Sequence, residues 1–109
     1  MKTILIVDDE PALTPLMTEA LQRDGWTVTA AHSLMEAKAL PGPFDVILAD
    51  VRLPNGDGRH LKDLHPHTPM VVVSGFPGEL PDLHKPFSMH QLRAAVRTAA
   101  NLPVEKQIP

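Results

Sequence analysis

The chain has 109 residues, a formal net charge of −3, 43% hydrophobic and 21% charged residues, and no cysteine. That suffices for one domain with one core and excludes disulfides, thiolate zinc sites and thiol catalysis. No Lys/Arg cluster suggests a nucleic-acid face, no apolar run nears the roughly 18 residues of a membrane span, and "MKTILIVDDE" lacks a secretory apolar region, so a cytoplasmic protein without nucleic-acid or membrane partners is expected.

Thr3 to Val7 is a short run rich in β-branched residues, the pattern of a strand buried on both faces. Pro11 fits the start of a helix, with Leu13, Leu16, Met17, Ala20 and Leu21 on its apolar face, Pro15 removing one hydrogen bond early, and Gly25 ending it. "WTVTAA" (26–31) predicts a second strand, and Ser33 with Glu36 forms a capping box for a short helix that stops at Pro41-Gly42-Pro43. "FDVILAD" predicts a third strand ending on Asp50, and "VRLPNGDG" a turn-rich loop. "RHLKDL" makes a third helix of barely two turns with Leu61 and Leu64 inward, and "PMVVVS" a fourth strand. Ser88 and Gln91 cap a last helix with Met89, Leu92, Val96 and Ala99 on one face. The domain is expected over 1–102, with 103–109 a flexible tail. Alternating strands and helices imply a doubly wound α/β domain, a parallel sheet with helices on both faces and function at the carboxyl ends of its strands.

Asp8, Asp9 and Asp50 all fall at such ends. If their strands are neighbours, the carboxylates lie roughly 5 Å apart and repel one another unless a cation joins them. An all-oxygen set suits Mg²⁺. A single acid there is as readily a helix-terminus charge. Three acids, together with Ser74 and Lys85, which also follow apolar runs, point to a site. A cation and a lysine can neutralise a transferring phosphoryl group, with an aspartate as its acceptor.

"ILIVDDE", "DVILADVRLPNGDG", "MVVVSG" and "KPFS", in this order and each after its expected strand, resemble the receiver domain of bacterial two-component response regulators over roughly Lys2 to Ala100. The resemblance implies a five-stranded sheet of order 2-1-3-4-5. Asp50 then matches the phosphoacceptor, with Pro54 and Gly58 at the family's usual distances beyond it. Asp8 and Asp9 match the acidic pair that organises Mg²⁺, and the Arg52 backbone carbonyl matches the third protein ligand. Ser74 matches the switch hydroxyl, and Lys85 the lysine paired with the phosphoryl group, before a Lys85–Pro86 bond that is usually cis. Arg52 and Phe76 fall where the family tunes loss of the acyl phosphate. The implied donor is the phosphohistidine of a sensor histidine kinase or phosphotransfer protein. The implied output runs through a downstream protein partner, and the domain is no enzyme in its own right.

One segment departs from the pattern. Only ten residues separate Ser74 from Lys85, about half the usual number. If 83–85 forms a fifth strand, eight residues must return the chain along the fourth strand and step sideways, roughly 17 Å and 5 Å. A helix of that length spans about 12 Å, whereas extended chain reaches about 28 Å. A loop is therefore expected in place of the fourth helix, in keeping with Pro77 and Pro81. Asp82 then stands where the switch aromatic usually lies, with Phe76 and His84 as candidate substitutes. An uncovered sheet face near Val71 to Val73 and Leu80 is expected to serve self-association, such as a homodimer, or partner docking.

The histidines, including the "HPH" at 65–67, are expected to be solvated rather than metal-binding, with His84, next to Lys85, the exception. Arg93 and Arg97 are expected to form a solvated face, and Trp26 to pack. A competing reading is a phosphorylation-independent interaction module that keeps the acidic site and binds through the altered face. An aspartate-nucleophile phosphatase is disfavoured, because the first strand is followed by "DDEP" rather than "DxDx[TV]".

Overall fold

The computed structural model describes residues 2–104. Most of the proposed flexible tail, 105–109, lies outside the described residues. The strands are β1 (Lys2–Val7), β2 (Trp26–Ala31), β3 (Val46–Asp50), β4 (Met70–Ser74) and β5 (Leu83–His84). They form one parallel sheet of order 2-1-3-4-5. The helices are α1 (Thr14–Arg23), α2 (Leu34–Lys38), a short α3 (Leu61–Leu64) and α4 (Met89–Ala99). Among the described residues, no helix is long and apolar enough to cross a membrane.

Strand alternation sorts the core into two layers. Ile4, Ile6, Leu48, Val71 and Val73 face α1 and α4, where they meet Met17, Leu21, Leu92 and Val96. Leu5, Val7, Ile47 and Ala49 face the other way, toward Leu34, Ala37 and Leu61. Side chains alternate along a strand, so neighbours in sequence serve opposite layers. This corrects one expectation: Val71 and Val73 are buried under α4, and only Val72 between them is half-buried on the thinner side. Leu80 does stand 85% exposed. Leu64, expected inward, is also exposed, because α3 ends there after one turn.

Local chemistry explains most element ends. Helix α1 begins three residues after Pro11, so it is Pro15 that lies in the first turn, where a missing N–H costs nothing. Gly25 takes φ +90° and ends that helix. Ser88 and Gln91 form a complete capping box on α4. At α2 the box is incomplete: Ser33 Oγ accepts from the Glu36 N–H at 3.1 Å, but the Glu36 carboxylate accepts from the His32 N–H at 3.3 Å. The loop after β3 closes as a small hairpin, Arg52–Leu53 against Gly56–Asp57. The expected loop between β4 and β5 is present, tightened by a single 3₁₀ turn over Pro77–Glu79.

Arg97 departs from the solvated reading. Its guanidinium donates to both carboxylate oxygens of Asp24, at 2.9 and 2.8 Å, and ties α4 to the end of α1. Trp26 packs as expected, 3% exposed, with the Lys2 ammonium 5.0 Å from its ring centroid.

Candidate functional site

β1 and β3 are neighbours, so the residues that follow Val7 and Ala49 meet at one rim of the sheet. Asp8 is fully buried and Asp50 is 7% exposed, while Asp9 is exposed. One carboxylate oxygen from each of the three lies within 4.8 Å of the others. Asp8 Oδ1 accepts from the Glu10 N–H at 2.8 Å, and Asp50 Oδ1 accepts from the Arg52 N–H at 3.3 Å. These short backbone loops hold each carboxylate in a set orientation.

Lys85 reaches the same point from the far side of the shortened segment. Its Nζ lies 2.8 Å from Asp50 Oδ2, 2.8 Å from Glu10 Oε1 and 3.0 Å from Asp8 Oδ2. The Lys85–Pro86 peptide bond is cis. Burial opposes the ammonium form, but hydrogen bonds to Asp50 and Glu10 and the charge of Asp8 outweigh it and hold Lys85 above the usual lysine range. Burial pushes the Asp8 carboxyl up, against the Glu10 N–H and Lys85, which favour its ionised form.

Three carboxylates thus face one ammonium, with Asp9 beside them in the acidic cluster. Asp8 Oδ2 is buried without a hydrogen-bond partner, touching Lys85 only as an ion pair. An unsatisfied buried oxygen beside two further hard oxygen donors fits a divalent cation such as Mg²⁺. Gly58 completes the rim: a Cβ there would lie 2.1 Å from the Asp50 carbonyl oxygen.

Ser74 ends β4 and is 1% exposed. Its Oγ accepts from the Phe76 N–H at 2.9 Å and donates to Glu79 Oε1 in a short hydrogen bond. Among the described residues, no hydrogen bond joins the Ser74 side chain to Asp50. The Arg52 guanidinium lies 3.5 Å from Glu79 through Nε, and its carbon stands 3.8 Å above the Phe76 ring. Neither candidate for the switch aromatic is tucked into the fold. Phe76 is 50% exposed under Arg52, and His84 is exposed. Asp82 caps the sheet edge instead, accepting from the Val72 N–H at 2.8 Å and donating its own N–H to the Val72 carbonyl at 2.8 Å.

Asp8, Asp9, Asp50 and Lys85 therefore converge as the sequence suggests, with Ser74 one strand away. Glu10 and Glu79 were not foreseen. Glu10 had a signal in the run "DDE", whose third acid lies two residues past Asp8. Glu79 had only its place between two prolines, five residues after Ser74.

The family described as the response regulator receiver domain matches residues 4–81. The chain is 38% identical over 112 residues to the transcriptional regulatory protein TrcR of Mycobacterium tuberculosis, across 86% of this chain and 43% of that one. It thus spans less than half the length of that curated relative. A CheY-like receiver domain protein from Methanospirillum hungatei superposes with a TM-score of 0.82 at 25% identity, covering 93% of this chain and 94% of that one. A response regulator protein from Burkholderia pseudomallei, solved with a phosphorylated aspartic acid, calcium ion and citrate, superposes at 0.74 with 28% identity, covering 93% and 69%.

Proposed function

The chain belongs to the response regulator receiver domain family, and on that premise we propose that Asp50 is a phosphoacceptor that takes its phosphoryl group from the phosphohistidine of a sensor histidine kinase or phosphotransfer protein. A carboxylate oxygen of Asp50 attacks phosphorus, a P–O bond forms and the P–N bond breaks. The imidazole keeps the electron pair and takes a proton. Hydrolysis later returns phosphate and the free carboxylate.

The observation that carries this reading is the Lys85 ammonium on Asp50 Oδ2 at 2.8 Å, at the edge of a three-carboxylate cluster. Lys85 offsets charge on the phosphoryl oxygens, and Glu10 and Asp8 hold it there. Receiver domains bind Mg²⁺ at such an acidic pocket. Asp8, Asp9, Asp50 and the Arg52 carbonyl would hold it here, and when bound it supplies further charge neutralisation. Ser74 supplies a hydroxyl to the phosphoryl group. The domain covers 1–102, acts in the cytoplasm and signals through protein contacts, with the strip around Val72 and Leu80 as the docking or dimer surface.

Incubation with Mg²⁺ and acetyl phosphate, read by intact mass, tests this. One phosphoryl group is expected on the wild type and none on Asp50→Asn. No gain from acetyl phosphate or any kinase tested would favour the second reading, a phosphorylation-independent interaction module. That reading draws on Asp82 in the aromatic's place and on exposed Leu80.

A further inference from the structure

Glu79 is a carboxylate brought to the switch hydroxyl by the very loop that replaces a helix. Its side chain is only 19% exposed, and it takes the Ser74 proton while lying against the Arg52 guanidinium. A serine hydroxyl has one proton to donate. That single O–H, aimed at Glu79 with the Phe76 carbonyl a longer 3.4 Å away, serves one anion at a time, Glu79 or another, never both. Between the bonds of Phe76 to Ser74 and of Asp82 to Val72, the middle of the loop keeps only its own turn hydrogen bonds, from the Glu79 N–H to the Phe76 carbonyl and from the Leu80 N–H to the Pro77 carbonyl. Gly75, Phe76, Pro77, Gly78 and Leu80 are all exposed. Leu80 sits in the left-handed region at φ 51° and ψ 55°, a conformation that costs a branched side chain free energy.

We propose that Glu79 is a latch that competes with the phosphoryl group on Asp50: it holds the Ser74 hydroxyl and the Arg52 guanidinium in the unphosphorylated protein, and is expelled when the phosphoryl group takes them. This rests on Asp50 being the phosphoacceptor. Expulsion has two causes. The hydroxyl proton is withdrawn from Glu79, and a dianionic phosphoryl group repels the carboxylate that remains nearby. Release frees residues 75–82 to rearrange, so the shortened loop reports phosphorylation without an aromatic switch. Glu79 is a positioning residue, acting on the reaction through Ser74.

The test uses Mg²⁺ with trifluoroberyllate, a phosphoryl mimic, titrated into the full chain and followed by amide NMR. Glu79→Ala is expected to half-saturate at about tenfold lower trifluoroberyllate, the size of one charge-assisted hydrogen bond, and Glu79→Gln at an intermediate concentration. In a Ser74→Ala background the Glu79→Ala gain should shrink to the part carried by Arg52 and charge repulsion, whereas a purely general charge effect would leave it undiminished. In the free protein, Glu79→Ala should speed amide exchange over 76–80, and the wild type should show the same speeding once trifluoroberyllate binds. An unchanged midpoint, a gain undiminished in Ser74→Ala, or unaltered loop exchange overturns the latch while leaving Asp50 as acceptor. A wild type that neither binds trifluoroberyllate nor gains mass from acetyl phosphate overturns both.

Discussion

The rim built by β1, β3 and Lys85 and the loop over 75–82 meet at one site, yet they are held in different ways. At the rim, Asp8 and Asp50 are buried, each is fixed by a backbone N–H, and both share one ammonium. The loop is exposed along most of its length; its ends are tied to the sheet by Phe76 and Asp82, and its middle reaches the site through one side chain, Glu79. A charge cluster in a buried frame is expensive to disturb, because removing one partner strands the others. A surface segment with few buried contacts is cheap to move. On the proposed reading, the domain joins a rigid acceptor to a movable reporter.

The contrast can be broken most forcefully at the rim. Lys85→Ala leaves Asp8 and Asp50 facing each other without their cation and should cost about 3 kcal/mol in metal-free urea unfolding. Mg²⁺ should restore much of that loss, and a deficit untouched by Mg²⁺ would contradict the shared-charge account. Leu48→Ala, fully buried beneath the rim between α1 and α4, should cost a similar amount, about 3 kcal/mol. Gly58→Ala forces a Cβ against the Asp50 carbonyl and should cost about 2 kcal/mol. It should also slow phosphorylation by acetyl phosphate, since the acceptor itself must shift.

At the loop, effects should be small. Leu80→Gly relieves the left-handed backbone but loosens the unfolded chain, so stability should change by less than about 0.5 kcal/mol in the same assay. A loss of several kcal/mol there would mean the loop is structural after all. The smallest effect belongs to Asp57. Its hydrogen bond from Arg59 holds the carboxyl below its ordinary value of 3.8. The folded form therefore gains stability above the unfolded value and loses it as pH falls through the folded one. Asp57→Asn should flatten the acid limb of unfolding slightly below about pH 4 and merge with the wild type at the lowest pH.

The amino-acid sequence by itself determined the strands, the two serine caps, the ends of the sheet where Asp8, Asp9 and Asp50 lie, and the want of room for a helix between β4 and β5. These rest on local propensity, on period and on how far a chain can reach, and all three are written along the backbone. Only the tertiary structure decided which partners the side chains found. Val72 faces the thin side of the sheet while Val71 and Val73 lie under α4, because register assigns faces. Arg97 pairs with Asp24 across 73 residues, and Glu10 shares Lys85 across 75, separations over which no sequence period carries information. Ser74 is legible as a candidate switch hydroxyl, but it donates its hydrogen bond to Glu79 because the 3₁₀ turn at Pro77–Glu79 aims that carboxylate back at the strand end, a direction set by the folded loop alone.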